Sequence, residues 1–385
     1  MPRVDFDLDE EQRAIVSTVK EFCERTVKPR APELDRTGRF PSDTLAEMGK
    51  LGLLGPQVPL EFGGTELPAV TYACILEEIA RACAATAVTY AVHTGVATYP
   101  LVEFGTPEQK REWLPRLASG ETLGAFALSE PGVGSDPGGM EARAVRRGDE
   151  YVLSGTKAWI TNGAYAGLFV VMAKTQPERR ARGITAFLLS PRDAGVSMAK
   201  AEHKMGIRGS VTNVMNLDDV RIPAGRRLGE EGEGMRIALS ALDASRVGIA
   251  AQGLGIARAC LEESLAYAKE RVAFGKPIGS FQAIQWKIAD MATELEAARL
   301  LTLRAASLKD GGVRCTKEAA MAKLLASELA MKAAVQAVQI FGGNGYVTEF
   351  PVERYFRDAK VTTIYEGTSE IQRLVIARQL GLPTE

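Results

Sequence analysis

Histidine is almost missing from this chain. Its 385 residues hold two, His93 and His203, too far apart in sequence to form a local site. A His-rich metal centre or a serine-type triad therefore has little material, and both histidines read as structural, one in an apolar small-residue stretch and one in a basic turn. Cysteine is also sparse: five, at positions 23, 74, 83, 260 and 315, form no Cys-x-x-Cys pair and read as small apolar residues in a reducing compartment. Charge of one sign is not in excess, since a net charge of −1 creates no overall field toward nucleic acid or an anionic membrane. The longest apolar run, Ala164 to Ala173, contains Gly167 and is far too short for a bilayer, so no membrane insertion is expected. The opening Pro2-Arg3-Val4-Asp5-Phe6-Asp7 is acidic and lacks the apolar core of a signal peptide, which predicts a bacterial-type cytoplasmic protein. Nor is there a dinucleotide fingerprint. Gly253-Leu254-Gly255 has no third glycine, preceding strand or spaced acidic partner and reads as close helix packing, while Gly229-Glu230-Glu231-Gly232-Glu233-Gly234 would repel phosphate.

What is present is a globular composition, 46% hydrophobic and 25% charged, with enough apolar mass for two or three packed units. Residues 8 to 120 read as helices. Asp9 and Gln12 have capping-box spacing, Ile15, Val19, Phe22, Cys23 and Val27 share one face, and Pro29 is expected to close that helix. Pro56, Pro59, Gly63, Gly64 and Pro68 mark a long turn, and the small residues between Ala80 and Ala97 predict tightly packed helices.

The period changes near Gly124. Short runs at Phe126–Ser129, Tyr151–Leu153, Ala158–Thr161, Leu168–Met172, Ile184–Leu189 and Val214–Val220, separated by turn residues, predict a β-sandwich or barrel. Long Ala-rich helices return at 234 to 273, 280 to 309, 315 to 341 and 369 to 380. The stripe Met321, Leu325, Leu329 is core or subunit interface, with Gly342-Gly343 as the C-cap. The order is helical, β, helical, divided at 1–122, 123–232 and 233–385.

With histidine scarce, acid–base chemistry falls to a carboxylate. One candidate is Glu366 in Thr363-Ile364-Tyr365-Glu366-Gly367-Thr368-Ser369-Glu370-Ile371-Gln372, ahead of a helix start for which Ser369 and Gln372 have capping-box spacing. Taken alone, such a glutamate is usually solvated and merely complements the helix dipole. Two β-region segments add weight. Ser129-Glu130-Pro131-Gly132-Val133-Gly134-Ser135-Asp136 is an amide-rich loop able to donate to a phosphate, ring or amide. Trp159-Ile160-Thr161-Asn162-Gly163 sets an aromatic face and a hydroxyl on the same side of a strand. A core Trp beside a surface Thr is the plainer reading, but a flat heteroaromatic cofactor explains both segments.

Together with Phe126-Ala127-Leu128 before the loop, Lys157-Ala158 before Trp159, Arg271-Val272-Ala273-Phe274-Gly275 and Ile364-Tyr365-Glu366-Gly367-Thr368, these motifs resemble the acyl-CoA dehydrogenase family. The resemblance runs in order over essentially the whole chain, and residues 243 to 380 look closest to the short-chain, butyryl-type members. It implies a mainly α protein with a helical N-terminal domain, a middle β-barrel and a C-terminal four-helix bundle. It also implies FAD, a homotetramer built as a dimer of dimers, an acyl-CoA substrate and electron-transfer flavoprotein as electron acceptor.

By the same resemblance Phe126, Leu128, Ser129, Gly134 and Ser135 meet the cofactor, with Trp159 and Thr161 beside the isoalloxazine. Arg271, Phe274 and Gln282 hold its pyrophosphate and adenine end, joined by Gln339 and Gly343 of a neighbouring subunit, and Thr368 and Glu370 match further FAD-contacting positions. Ser135, Asp243, Arg246 and Gly367 match acyl-CoA positions. Glu366 is the implied α-proton base and flavin N5 the hydride acceptor, giving a trans-2-enoyl-CoA. Isovaleryl-type and long-chain members carry the base immediately before the arginine matching Arg246, where this chain has Ser245. Glutaryl-type members use an arginine in the N-terminal helices, and residues 82 to 109 contain no Arg or Lys. Short branched thioesters, a related flavin oxidase and a silent acyl-CoA-binding module stay as alternatives.

Overall fold

The computed structural model describes residues 8–383, so the terminal segment Pro2–Asp7 lies outside the described residues. Seven helices come first: α1 Glu10–Phe22, α2 Lys28–Thr37, α3 Ser42–Lys50, α4 Ala69–Ala82, α5 Ala84–Ala91, α6 Tyr99–Phe104 and α7 Pro107–Ala118. The Asp9/Gln12 capping box is formed, with Asp9 Oδ1 accepting from Gln12 N at 2.8 Å and Gln12 Oε1 accepting from Asp9 N at 3.0 Å, a contact worth about 1 kcal/mol.

Pro29 does not close the helix that follows. A π-helical turn, Cys23–Val27, runs from α1 into α2, and Pro29 sits in the first turn of α2. The widened turn changes the bonding upstream of the ring, so the clash and lost hydrogen bond that stop a regular helix are avoided. The chain ends that helix at Gly38, whose φ of 69° suits a left-handed C-cap.

The middle region is one eight-stranded mixed sheet: β1 Leu123–Ala127, β2 Arg143–Arg147, β3 Glu150–Thr161, β4 Ala166–Lys174, β5 Ile184–Leu189, β6 Val196–Met198, β7 Thr212–Pro223 and β8 Arg227–Leu228. Its order is β6-β7-β3-β2-β4-β5-β8, with β1 added parallel to β4. The runs at 151–153 and 158–161 belong to the single strand β3, which carries irregularities at Gly155 and between Lys157 and Ile160. Charged β2 and three-residue β6 escape a pattern search because neither shows a clear apolar alternation.

Helix α8, Gly234–Glu270, then runs to a small hairpin, β9 Val272–Ala273 and β10 Lys276–Pro277. After it come α9 Gln282–Asp310, α10 Thr316–Phe341, α11 Val352–Thr362 and α12 Ser369–Gln379. Helix α11 carries no clear apolar period in sequence, because its buried face holds Arg354 and Asp358 among Val352, Tyr355 and Ala359. Helix α10 with its extension, Thr316–Tyr346, is long and apolar enough by length and composition to cross a membrane, but half of its most apolar window is buried inside the protein. On α10 only Leu329 of the expected stripe is buried, whereas Leu325 is exposed. The face that packs is alanine with one lysine, Ala319, Lys323, Ala326 and Ala330.

The first and last helices share one apolar core, while the sheet builds a second around β4 and β5. A buried ion network reinforces the first. Arg81 donates to Glu78 at 3.0 Å on its own helix, to Glu24 at 2.6 Å and to Glu262 of α8 at 3.2 Å. Close approach of α8 depends on the glycines dismissed above as a nucleotide motif: a Cβ on Gly253 would lie 2.8 Å from Ala326 O, and one on Gly255 would lie 2.5 Å from Glu77 O. Gly255→Val should therefore lower stability by about 3 kcal/mol or more through overpacking against backbone. Gly225→Ala, where a Cβ meets nothing within 4 Å, should leave the melting temperature within a degree or two of the parent. Equal melting temperatures for the two variants would contradict this packing.

Candidate active site

Glu366 stands on the short link between α11 and α12. Its φ is 53° and that of Gly367 is 93°, so two successive residues are left-handed. Such a conformation costs a non-glycine residue on the order of 1 kcal/mol or more and persists only when surroundings enforce it. Three contacts do so. Lys323 Nζ donates to Gly367 O at 2.7 Å, and Gln372 Nε2 donates to Gly367 O at 2.9 Å and to Glu366 O at 3.3 Å. Thr368, rather than Ser369, is the N-cap of α12, accepting from Ile371 N at 3.3 Å. Gln372 is thereby free to serve the turn instead of a capping box.

This turn aims the Glu366 side chain inward. The residue is partly exposed as a whole, yet neither carboxylate oxygen reaches solvent, and among the described residues neither has a partner in hydrogen-bond geometry, the Ser245 hydroxyl lying near but outside it. Burial pushes its pKa up to about 7, while the nearby Ser245 hydroxyl, Lys323 and Arg246 pull against that shift. The Ser245 hydroxyl and Arg246 Nε are likewise buried without partners. Arg246 makes a short ion pair with Asp243, whose other oxygen accepts from Thr316 Oγ1 at 2.7 Å. Tyr365 donates to Gln252, which anchors on Ala84 O at 3.0 Å. The result is a buried, partly unsatisfied pocket in which polar groups of α8, α10 and the 365–367 turn converge. Buried orphans of this kind are costly in isolation and point to a ligand that completes them.

A second group forms around the sheet. Ala158 N donates to Ser129 O at 2.9 Å, which brings the loop after β1 beside Trp159. The Trp159 φ is 62° and the residue is 64% exposed. A left-handed, largely exposed tryptophan on a bulged strand presents an aromatic face able to take a flat ring. Phe126 and Leu128 pack against the core beneath, and Thr161 is half-buried. Lys157, fully buried, fixes the loop by donating to Glu130 Oε1 at 2.8 Å and Leu128 O at 3.2 Å. Both groups touch the π-helical segment Val92–Thr98: Gly95 lies against Ser245, and His93 Nδ1 accepts from Gly124 N at 3.0 Å. His93 Nε2 donates toward Leu54 O and Leu117 O, each at 3.1 Å. This bonding makes it a neutral structural residue.

Other candidate residues lie apart. Gly134 and Ser135 are exposed in their loop. Arg271, Phe274 and Gln282 cluster on and just beyond the β9–β10 hairpin, with the Phe274 ring 95% exposed at φ 51° and edge-on to Phe281 at 6.0 Å. Gln339 and Gly343 are exposed at the C-terminal end of α10, and Glu370 is exposed in the first turn of α12. Apart from the Phe274–Phe281 contact, these side chains are largely exposed. Lys323 has no part in the sequence motifs, and Lys157 appears there only as the residue opening the Trp159 segment. A lone lysine on the alanine face 319, 322, 326, 330 was the available signal for the first.

The fold, the orphaned carboxylate and the aromatic platform suit one class of protein. Profiles of the acyl-CoA dehydrogenase N-terminal, middle and C-terminal domains match residues 9–121, 125–220 and 232–381, and the chain belongs to the acyl-CoA dehydrogenase family. It is an FAD-dependent oxidoreductase of that family. The mouse mitochondrial short-chain specific acyl-CoA dehydrogenase is 50% identical over 97% of this chain and 91% of its own length. Butyryl-CoA dehydrogenase from Megasphaera elsdenii superposes with a TM-score of 0.96 at 41% identity, covering 98% of this chain and 99% of that one. A chain solved in work on the electron transferring flavoprotein of Acidaminococcus fermentans and flavin-based electron bifurcation has a TM-score of 0.96 at 42% identity, with 98% and 99% covered.

The ionisation state of Glu366 is directly measurable. Infrared difference spectra between the parent protein and Glu366→Gln, taken from about pH 5 to about pH 9, should show a protonated carboxyl band giving way to carboxylate near pH 7. A transition at the ordinary glutamate value would contradict the buried pocket.

Proposed function

We propose that the protein oxidises short-chain acyl-CoA thioesters to trans-2-enoyl-CoA, with Glu366 as the base that removes the α-proton. The observation that carries this reading is the Glu366 carboxylate, buried, unpartnered and held on a strained turn beside two buried cations. A thioester α-hydrogen is weakly acidic, so its removal needs a base with a pKa near the working pH, already in place. Desolvation gives Glu366 that strength.

Arg246, with Asp243 as its counter-ion, and Lys323 keep the pocket's charge near balance while the proton moves onto Glu366. No hydrogen bond within the described chain uses the Glu366 amide N–H, which leaves it able to donate to a thioester oxygen as enolate charge develops. Trp159, Thr161, Phe126, Leu128, Ser129, Gly134 and Ser135 would hold the flavin ring, and Ser135 and Gly367 would also line the thioester path. Arg271, Phe274 and Gln282 would hold the far end of the cofactor, completed by Gln339 and Gly343 of a second copy and by Thr368 and Glu370. Bound FAD supplies the acceptor for the β-hydrogen and the two electrons.

Butyryl-like chain length is supported by the named specificities of the mouse and Megasphaera relatives. Ser245 and the absence of Arg and Lys from 82 to 109 weigh against isovaleryl-, long-chain and glutaryl-type substrates. Electron-transfer flavoprotein as acceptor fits the Acidaminococcus work. A homotetramer fits the bare apolar groups of the bundle, among them Trp286 at 63% and Tyr346 at 88% exposure. A cytoplasmic location and the three-unit division 1–122, 123–232 and 233–385 complete the proposal.

Glu366→Gln should keep FAD and acyl-CoA binding and lose flavin reduction by a factor of about 10³ or more, because the amide cannot take the proton. In the parent, kcat/KM should rise with pH through a value near 7, since only the ionised carboxylate is a base and a raised pKa leaves it protonated below that. Anaerobic bleaching of the flavin by acyl-CoAs from butyryl to palmitoyl, with isobutyryl, isovaleryl and glutaryl thioesters included, measures both. Near-normal bleaching by Glu366→Gln would overturn the assignment of the base, and fastest bleaching by palmitoyl-CoA would overturn the chain length.

A further inference from the structure

Lys323 of α10 is both a contact to the Glu366–Gly367 turn and one of two cations near its carboxylate. Lys323 is fully buried, and its ammonium has one hydrogen bond in the protein, to Gly367 O at 2.7 Å. No carboxylate lies within 4 Å of it among the described residues, although the other fully buried lysine, Lys157, has Glu130 at 2.8 Å. A buried ammonium with no counter-ion is a steep desolvation cost, and proteins keep one where it acts. Burial pulls its pKa down to about 8, with Glu366 the leading group that opposes the shift, ahead of the more remote Glu328 and Glu370, while Arg246 adds to it.

We propose that Lys323 is a positioning residue for the reaction. It holds the Gly367 carbonyl, and through it the left-handed Glu366–Gly367 turn, so that the carboxylate faces the acyl pocket, and it supplies the positive charge against which that carboxylate ionises. This rests on Glu366 being the base. The charge it supplies is only partly duplicated. Arg246 from α8 is the other cation facing Glu366, but it is neutralised by Asp243, and the remaining neighbours, Ser245, Tyr72 of α4 and Tyr365, carry no charge at neutral pH. Gly367 is needed at the contact point as well, since a Cβ there would lie 2.6 Å from Gln372 Nε2 at a φ of 93°. Lysine, glycine carbonyl and glutamine amide form one clamp on the turn.

The test is the pH profile of kcat/KM for anaerobic flavin reduction by butyryl-CoA in FAD-replete holoenzyme, comparing the parent with Lys323→Met, Lys323→Gln and Lys323→Arg. Loss of the charge should move the acid limb upward by about one pH unit in both Met and Gln variants, so that at neutral pH the rate falls about tenfold and recovers in more alkaline buffer. Lys323→Arg, which keeps a cation, should leave the limb near that of the parent. Lys323→Gln serves if the methionine variant does not fold, since its amide can still meet the Gly367 carbonyl. An acid limb unmoved in a charge-free variant overturns the proposal. A purely structural lysine would lower the rate equally at every pH, and that result also overturns it. Glu366→Gln separates the two readings: if it reduces flavin normally the base assignment has failed, whereas loss of reduction there with an unmoved limb in Lys323→Gln refutes only the role of the lysine.

Discussion

One carboxylate kept away from water sets the terms for the rest of this protein. In the proposed reaction a glutamate in solution would be too weak a base for a thioester α-hydrogen, and removal of its hydration strengthens it. Folding must then sustain a group that by itself opposes folding. The structure does so with a left-handed turn that points the side chain inward, a lysine and a glutamine that clamp the turn's carbonyls, and two buried cations that keep the carboxylate ionisable.

The surrounding scaffold is organised to make that pocket tight. Helices α4, α8 and α10 approach through alanine and glycine faces, so that backbone lies nearly against backbone, and dense packing of this kind transmits position with little slack. The Arg81 network locks the first helices to α8. The segment 92–98 binds the sheet through His93 and Gly124 while touching Ser245. On the proposed reading, a flat ring on Trp159 and an acyl chain at Glu366 would be referenced to the same piece of backbone.

Much of this was legible in the sequence, for definite reasons. The helical, β, helical order follows from periodicity, the Asp9 cap from its spacing, and the family from four motifs in order. Gly253 and Gly255 were rightly read as packing. Pro29 misled because a π-turn upstream has no sequence pattern of its own. The cap of α12 fell one residue early, on Thr368, because threonine and serine are nearly equivalent N-caps and only the backbone decides between them. Lys323 carries little sequence signal because its significance lies in its surroundings: a lysine in a helix reads as solvated until the fold shows it fully buried, with no carboxylate in ion-pair reach among the described residues. The strain at Trp159 and Glu366 is likewise a property of three-dimensional enforcement, not of local preference.

The most direct measurement uses the analogue of butyryl-CoA with sulfur in place of the β-carbon. It has α-hydrogens but no β-hydrogen, so proton removal is separated from oxidation. Incubated in D2O with the FAD-bound protein, its α-position should take up deuterium with the parent and fail to do so with Glu366→Gln. Equal deuterium uptake with both proteins would contradict the assignment of Glu366 as the base, whatever the variant's effect on turnover.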